Sequence, residues 1–265
     1  MTLPMIDLHC HILPGVDDGA QTMEDTLAMA YKAVDQGITH ILCTPHYNNG
    51  QYNNKKGDII PLVERVQHEL DVRQIQLQLL PGQETHISGD LVDCMTRDEV
   101  LYIDLQEQYL LLEFPSSEVP IYAKPLFTKT LALGKIPVIV HPERNTHFIK
   151  DPNDLITYLN MGCLAQLTAP SYLGIFGKQI QKTAQLMVQH NLVQCIASDA
   201  HGLQRRNFYL QEALQAIHQD FGETKVIQFL KTARALVNGD EISVTNYTSI
   251  TKTKPWWKFN FRGGA

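Results

Sequence analysis

Apolar residues at Ile6, Leu8, Cys10 and Ile12 alternate with Asp7, His9 and His11, the period-two pattern of a strand with unlike faces. His9 and His11 therefore share a face. Pro14-Gly15 then turns the chain and brings Asp17, Asp18 and Gly19 back toward the imidazoles. Thr22 with Asp25 three residues on reads as a capping box. Leu27, Ala30, Tyr31 and Val34 supply the apolar stripe of a helix ending at Gly37. A strand over 38–44 running into Pro45-His46 completes a βαβ unit.

The pattern recurs along the chain. A polar, Asn-rich loop over 47–56 precedes a helix over 58–73, with Leu62, Val66 and Leu70 on one face and Pro61 in its first turn. Apolar runs at 76–84, 109–113, 136–140, 162–167 and 193–198 read as further strands, and helices are expected near 207–220 and 223–237. Strands alternating with helices imply parallel pairing, and apolar runs without alternation imply strands covered on both faces. About seven strands favour the α/β class and a closed or nearly closed barrel over an open sheet. One domain is expected over 1–240, with a tail over 241–265 that turns from polar to basic and aromatic. His9, His11, His46, Glu84, Glu113, His141, Asp199 and His201 all fall at or just past the carboxyl end of a predicted strand, where α/β barrels collect their active-site residues.

The gross numbers narrow the chemistry. A formal charge of −6 without a basic block argues against a nucleic-acid surface. Five scattered cysteines without a Cys-x-x-Cys fit a reducing compartment. The lack of a leader-like or membrane-spanning segment adds the expectation of a cytoplasmic protein. The positions six beyond the cysteines are Val16, Asn49, Val100, Ala169 and His201; none is the arginine that cysteine-phosphatase chemistry needs. Neither a Gly-x-Ser-x-Gly nor a Gly-rich phosphate loop occurs. Both tryptophans lie in the tail with lysines and Arg262, a composition suited to an anionic membrane surface or another protein.

Imidazoles with carboxylates and no thiolate suit Mn, Fe, Zn or Mg, and Glu84 could bridge two ions. Closely spaced divalent cations favour hydrolysis of phosphate esters by activating a water. A planar guanidinium to hold the phosphoryl oxygens is available from Arg144, and from Arg206 or its neighbour Arg205.

The runs Asp7-Leu8-His9-Cys10-His11-Ile12-Leu13-Pro14-Gly15-Val16-Asp17-Asp18-Gly19, Thr44-Pro45-His46, Pro81-Gly82-Gln83-Glu84, Leu112-Glu113, His141-Pro142-Glu143-Arg144 and Ser198-Asp199-Ala200-His201 resemble the PHP (polymerase and histidinol phosphatase) metallohydrolases. More closely, the chain resembles the protein-tyrosine phosphatases of bacterial capsule and exopolysaccharide operons, the first and fourth of these segments being specific to that branch and the others shared more widely. The resemblance implies a distorted (β/α)7 TIM-like barrel of PHP type holding three divalent ions, often Mn2+, with Fe, Zn, Mg or Co as alternatives. It implies His9, His11, Asp18, His46, Glu84, Glu113, His141, Asp199 and His201 as ligands, with Asp17 behind them. It implies Arg144 and Arg206 as phosphate-binding groups, Asp18 as a further catalytic residue, and the phosphotyrosine tail of a bacterial tyrosine kinase as substrate. A PHP phosphatase of a small phosphomonoester such as histidinol phosphate, and a non-hydrolysing phosphotyrosine-binding regulator, are the alternatives.

Overall fold

The computed structural model describes residues 3–244 and 246–251. The elements are β1 (Met5–Cys10), α1 (Met23–Asp35), β2 (Ile38–Cys43), β3 (His46–Tyr47), α2 (Lys56–Val72), β4 (Gln78–Pro81), β5 (Glu84–His86), α3 (Leu91–Thr96), β6 (Tyr109–Glu113) and α4 (Ala123–Ala132). They continue with β7 (Ile136–Val140), α5 (Thr146–Lys150), α6 (Leu155–Asn160), β8 (Leu164–Thr168), α7 (Ala169–Tyr172), α8 (Lys178–Gln189), β9 (Cys195–Ala197), α9 (Leu210–Phe221) and α10 (Glu223–Asn238).

Every strand pair is parallel, in two sheets of order β1-β2-β4 and β3-β5-β6-β7-β8-β9. The sheets share one register where they meet. His40 pairs with Gln78, Cys43 with Pro81 and His46 with Glu84, each residue opposite the one 38 positions on. Thr44-Pro45 and Gly82-Gln83 therefore only interrupt two long courses, and the nine strands form the seven courses the sequence predicts. Pro45 has no N–H to give to a ladder, but its carbonyl accepts from Glu84 N at 3.1 Å and carries the pairing across the break. At the opposite edge Asp199 N donates to the His9 carbonyl at 2.8 Å and His11 N to the Ala200 carbonyl at 2.9 Å. A parallel bridge joins Cys10 to Ala200, so the last course meets the first at the carboxyl ends.

Alternate residues of the central strands feed two separate apolar clusters. Tyr109, Leu111, Val138, Val140, Leu164, Cys195 and Ala197 join one, with Ala233 and Leu236 of α10. Leu110, Leu112, Ile139, Ala165, Leu167 and Ile196 join the other, under the surrounding helices. Both faces of the strands are thus dry, which is why their sequences read as unbroken apolar runs.

Two helices differ in detail from the sequence pattern. The α1 capping box at Thr22 and Asp25 is present, but the buried line is Thr26, Met29, Ala30 and Ala33, while Tyr31 is 57% and Val34 37% exposed. The small alanines face inward and let the helix approach the sheet closely, turning the bulkier pair outward. In α2, Pro61 is the sixth residue, so it falls in the second turn. Residues 240–244 and 246–250 pack along the body: the Asp240 carbonyl accepts from Tyr109 Oη at 2.8 Å, and Ile250 exchanges two hydrogen bonds with the Asn153 side chain at 2.8 and 3.0 Å. The basic and aromatic tail over 252–262 lies outside the described residues. No helix among the described residues is long and apolar enough to cross a membrane.

Candidate metal centre

The carboxyl ends of the strands bring the predicted side chains together. His9 Nε2 and His11 Nε2 lie 3.2 Å apart. Glu84 Oε2 is 3.3 Å from each and Asp199 Oδ1 3.5 Å from each. A regular tetrahedron with such edges has its centre about 2.0–2.1 Å from every corner, the bond length of a divalent cation to imidazole or carboxylate. Four buried donors held at this spacing fit a metal ion.

Two further groups overlap this one. Asp18 Oδ1 stands 3.2 Å from His46 Nε2 and 3.3 Å from His201 Nε2, with the His11 and His201 rings stacked at 3.7 Å. His46 Nδ1 lies 3.0 Å from Glu84 Oε2 and 4.0 Å from Glu113 Oε2. His141 Nε2 approaches Glu84 Oε1 at 2.8 Å and Glu113 Oε1 at 3.7 Å. All nine ligand candidates therefore share one mouth, and Glu84 stands at its middle with one oxygen toward His9 and His11 and the other toward His141. His46 Nδ1, Glu84 Oε2 and His201 Nε2 are buried without a hydrogen bond although donors crowd them. Lone pairs that converge without bonding one another are what a cation would satisfy.

Three of the imidazoles are aimed from behind. Gln166 Oε1 takes His9 Nδ1 at 2.9 Å and Asp17 Oδ2 takes His11 Nδ1 at 2.7 Å, leaving Nε2 of both rings as the inward atom. The Asp199 carbonyl meets His201 Nδ1 at 3.0 Å. Asp17 thus stands behind the ligand cluster and Asp18 within it. Because Nδ1 of His11 is committed to Asp17, His11 offers one nitrogen and can serve only one of the two groups it borders.

Local backbone explains how the turns reach the site. A Cβ on Gly19 would lie 2.0 Å from the His11 carbonyl oxygen, so only glycine allows the Asp17-Asp18-Gly19 turn to lie against β1. His141 and Asp199 both hold left-handed backbone, φ 36° and 53°, a conformation that non-glycine residues keep only where their surroundings fix it. Asp7 fixes one of them: its carboxylate accepts from Ser198 N at 2.8 Å and from Ser198 Oγ, anchoring the end of β9 to β1. Burial pushes this carboxyl up to about 6, against the Ser198 hydrogen bonds. Asn145 fixes the other turn, accepting from His147 N at 2.8 Å while donating to the Pro115 and Glu118 carbonyls at 2.7 and 2.9 Å.

Electrostatics divides the cluster. Burial opposes charge on every member, yet the imidazoles His9, His11 and His141 and the Arg144 and Arg206 guanidiniums hold Glu84 and Asp199 well below the usual carboxylate range. Asp18 is likewise lowered by His201 and His46. His46 is pushed up to about 10, burial being outweighed by the Asp18 and Glu84 carboxylates beside it, while burial and the neighbouring His11 push His201 down to about 4. Arg144 Nη1 donates to Asp199 Oδ2, and Arg206 Nη2 reaches both Asp199 oxygens at 3.1 Å while its Nη1 donates to Asp18 at 3.3 Å. Arg206 therefore takes the inward place, and Arg205 stays exposed.

Gln166, Asn145, Asp7 and Ser198 were missed as supports of the site by sequence reasoning. A signal existed for Gln166, a glutamine within an otherwise apolar strand. A tyrosine of the 47–56 loop also borders the cluster, the Tyr52 ring lying parallel to His46 at 5.9 Å.

A family model described as capsular polysaccharide synthesis, CpsB/CapC, matches residues 5–238. The chain is 40% identical over 238 residues to the tyrosine-protein phosphatase YwqE of Bacillus subtilis, covering 90% of this chain and 93% of that protein. It is 32% identical over 253 residues to the putative tyrosine-protein phosphatase CapC of Staphylococcus aureus, covering 96% and 99%. Crystal structures of YwqE from Bacillus subtilis and CpsB from Streptococcus pneumoniae, described as metal-dependent tyrosine phosphatases, provide a match with TM-score 0.89 and 38% identity, covering 94% of this chain and 100% of that one.

Proposed function

Because the chain belongs to the capsular polysaccharide synthesis CpsB/CapC family, we propose that it is a metal-dependent protein-tyrosine phosphatase whose substrate is the phosphotyrosine tail of a bacterial tyrosine kinase controlling polysaccharide synthesis. The observation that carries this reading is that a cage of four buried donors, His9, His11, Glu84 and Asp199, and two guanidiniums, Arg144 and Arg206, meet at one carboxylate. A nest for cations and forks for phosphate oxygens coincide there. The seven parallel courses and the bonds from Asp199 and His11 that join the last to the first support a distorted (β/α)7 barrel as the frame.

His9, His11, Glu84 and Asp199 would hold one ion, Glu84, Glu113 and His141 a second, and Asp18, His46 and His201 a third. Nitrogen and oxygen donors without thiolate suit manganese, with Fe, Zn, Mg or Co as alternatives. Divalent cations there supply the Lewis acidity that polarises a phosphoryl group and brings the ionisation of water toward neutral pH. Arg144 and Arg206 bind the non-bridging oxygens and stabilise the charge that gathers on them. Asp18 stays ionised, since His201, His46 and Arg206 surround it, and acts as an anionic anchor rather than a proton donor. Tyrosinate, with a conjugate acid of pKa about 10, leaves without a strong acid. The enzyme would act on the cytoplasmic face, where such kinase tails lie.

The test is phosphate release from a phosphotyrosyl peptide before and after exhaustive chelation, with and without added Mn2+, alongside His141→Ala. Loss on chelation and recovery with metal are expected. Hydrolysis that survives both chelation and His141→Ala would overturn the assignment, and faster turnover of histidinol phosphate in parallel would move it to a small phosphomonoester.

A further inference from the structure

Phe176 sits in the connection 173–177 between α7 and α8, flanked by Gly174 and Gly177, whose φ values of 82° and 105° suit glycine. The connection is tied down by its own hydrogen bonds, Ile175 N to the Pro170 carbonyl and Gly177 N to the Gly174 carbonyl, both at 3.0 Å. Its half-buried ring carries two guanidiniums: Arg144 Cζ lies 5.3 Å and Arg205 Cζ 5.8 Å from the ring centroid. These arginines come from different turns, the one after β7 and the one after β9, and meet on this ring. Among the described residues Arg205 makes no ion pair, and the ring holds its guanidinium.

We infer that Phe176 is a positioning residue whose aromatic face holds the Arg144 and Arg205 guanidiniums at the mouth of the site, oriented toward the substrate phosphate. The inference rests on the phosphatase reading above. A carboxylate partner would neutralise an arginine and compete with phosphate for its N–H groups. An aromatic face attracts the cation through its quadrupole but takes none of those donors. The distinction matters most for Arg144, whose other partner is Asp199. A carboxylate shared with a metal ion has less negative charge left for an arginine, and Phe176 remains to keep the side chain in place. Arg205 becomes the third guanidinium of the mouth, beyond the pair Arg144 and Arg206.

Phe176→Leu keeps apolar bulk and removes the π face, whereas Phe176→Tyr keeps both. Measured on the metal-loaded protein, Phe176→Leu should weaken inorganic phosphate binding in calorimetry by about fivefold per guanidinium, the worth of one ordinary cation–π contact. It should raise KM for a phosphotyrosyl peptide in parallel, with a cooperative melt that shifts by only a few degrees. Phe176→Tyr should remain within about twofold of the parent, since phenol and benzene faces attract cations comparably. In an Arg144→Ala, Arg205→Ala background, Phe176→Leu should have no further effect. Wild-type phosphate affinity in Phe176→Leu, equal impairment in Phe176→Tyr, or an additive effect in the double-arginine background would each overturn the inference. Parent protein that binds phosphate but hydrolyses no phosphotyrosine would overturn the phosphatase reading instead, while the phosphate titrations would still judge Phe176.

Discussion

Replacing Gly19 with alanine tests the closeness of the Asp17-Asp18-Gly19 turn to the first strand. The added Cβ would stand 2.0 Å from the His11 carbonyl oxygen and 2.5 Å from His11 Cβ. These atoms belong to the backbone and the root of a ligand, so no flexible side-chain tip can yield. Restoring even a 3.0 Å contact from 2.0 Å requires the turn to retreat by about 1 Å, and ordinary van der Waals contact lies farther still. That retreat breaks or stretches the Ala20 N to His11 carbonyl bond of 3.1 Å and the Asp17 to His11 bond of 2.7 Å. Two hydrogen bonds, one to a charged group, represent about 2–4 kcal/mol of stability. Misplacement by about 1 Å costs on the order of 100-fold in rate. Elemental analysis, kcat on a phosphotyrosyl peptide and thermal melting should therefore all respond. Gly15→Ala is the control in the same turn: φ is 71° but the nearest atom is 3.4 Å away, so it should cost about 1–2 kcal/mol through left-handed strain and leave metal content intact. Gly19→Ala with parental metal content and kcat would refute the idea that this contact positions Asp17 and Asp18.

Asp17→Ala removes the acceptor behind His11 Nδ1 and should lower metal affinity about 10–100-fold, read by competition with a chromophoric chelator. Asn145→Ala removes the amide that ties the turn after β7 to the turn after β6, and leaving those buried carbonyls unpaired should destabilise by about 1–3 kcal/mol in urea. Metal-free protein should melt highest between about pH 4.5 and 6.5. His46, raised to about 10, binds its proton more tightly folded than unfolded, so its contribution is complete below about pH 6.5 and lost as pH rises through about 10. His201, lowered to about 4, is protonated first in the unfolded chain, so its contribution falls between about pH 6.5 and 4. Asp7, raised to about 6, opposes His201 between about pH 6 and 4, so the acid loss sets in mainly below about pH 4.5, where the lowered carboxylates Glu84 and Asp199 give up their contribution. A flat melting profile from about pH 6.5 to 10 after chelation would contradict the His46 assignment.

Strand ends were legible because the courses are apolar on both faces and the polar residue closing each one stands out: His46, Glu84, Glu113, His141 and Asp199 all follow such runs. Alternation over Ile6 to Ile12 likewise gave the shared face of His9 and His11. What periodicity does not carry is depth. In α1 the spacing 27, 30, 31, 34 is as helical as 26, 29, 30, 33, and only the close approach allowed by Ala30 and Ala33 selects the second. Interruptions at Thr44-Pro45 and Gly82-Gln83 were invisible as strand breaks because the register persists through them. Supports such as Asn145 and Phe176 were illegible for a different reason. Their partners lie on turns far along the chain, and nothing local marks a phenylalanine as the platform for two arginines.

All five cysteines are buried, Cys94 the most accessible at 2%. Burial holds Cys43 far above the usual thiol range and pushes Cys163 and Cys195 up to about 12. Hydrogen peroxide and alkylating agents react with accessible thiolate, and this protein presents none. Oxidative stress that silences thiol-based tyrosine phosphatases would leave this type of centre no sulfur to lose. Its sensitivity lies instead with the supply of cations, so metal starvation is the condition that would switch it off.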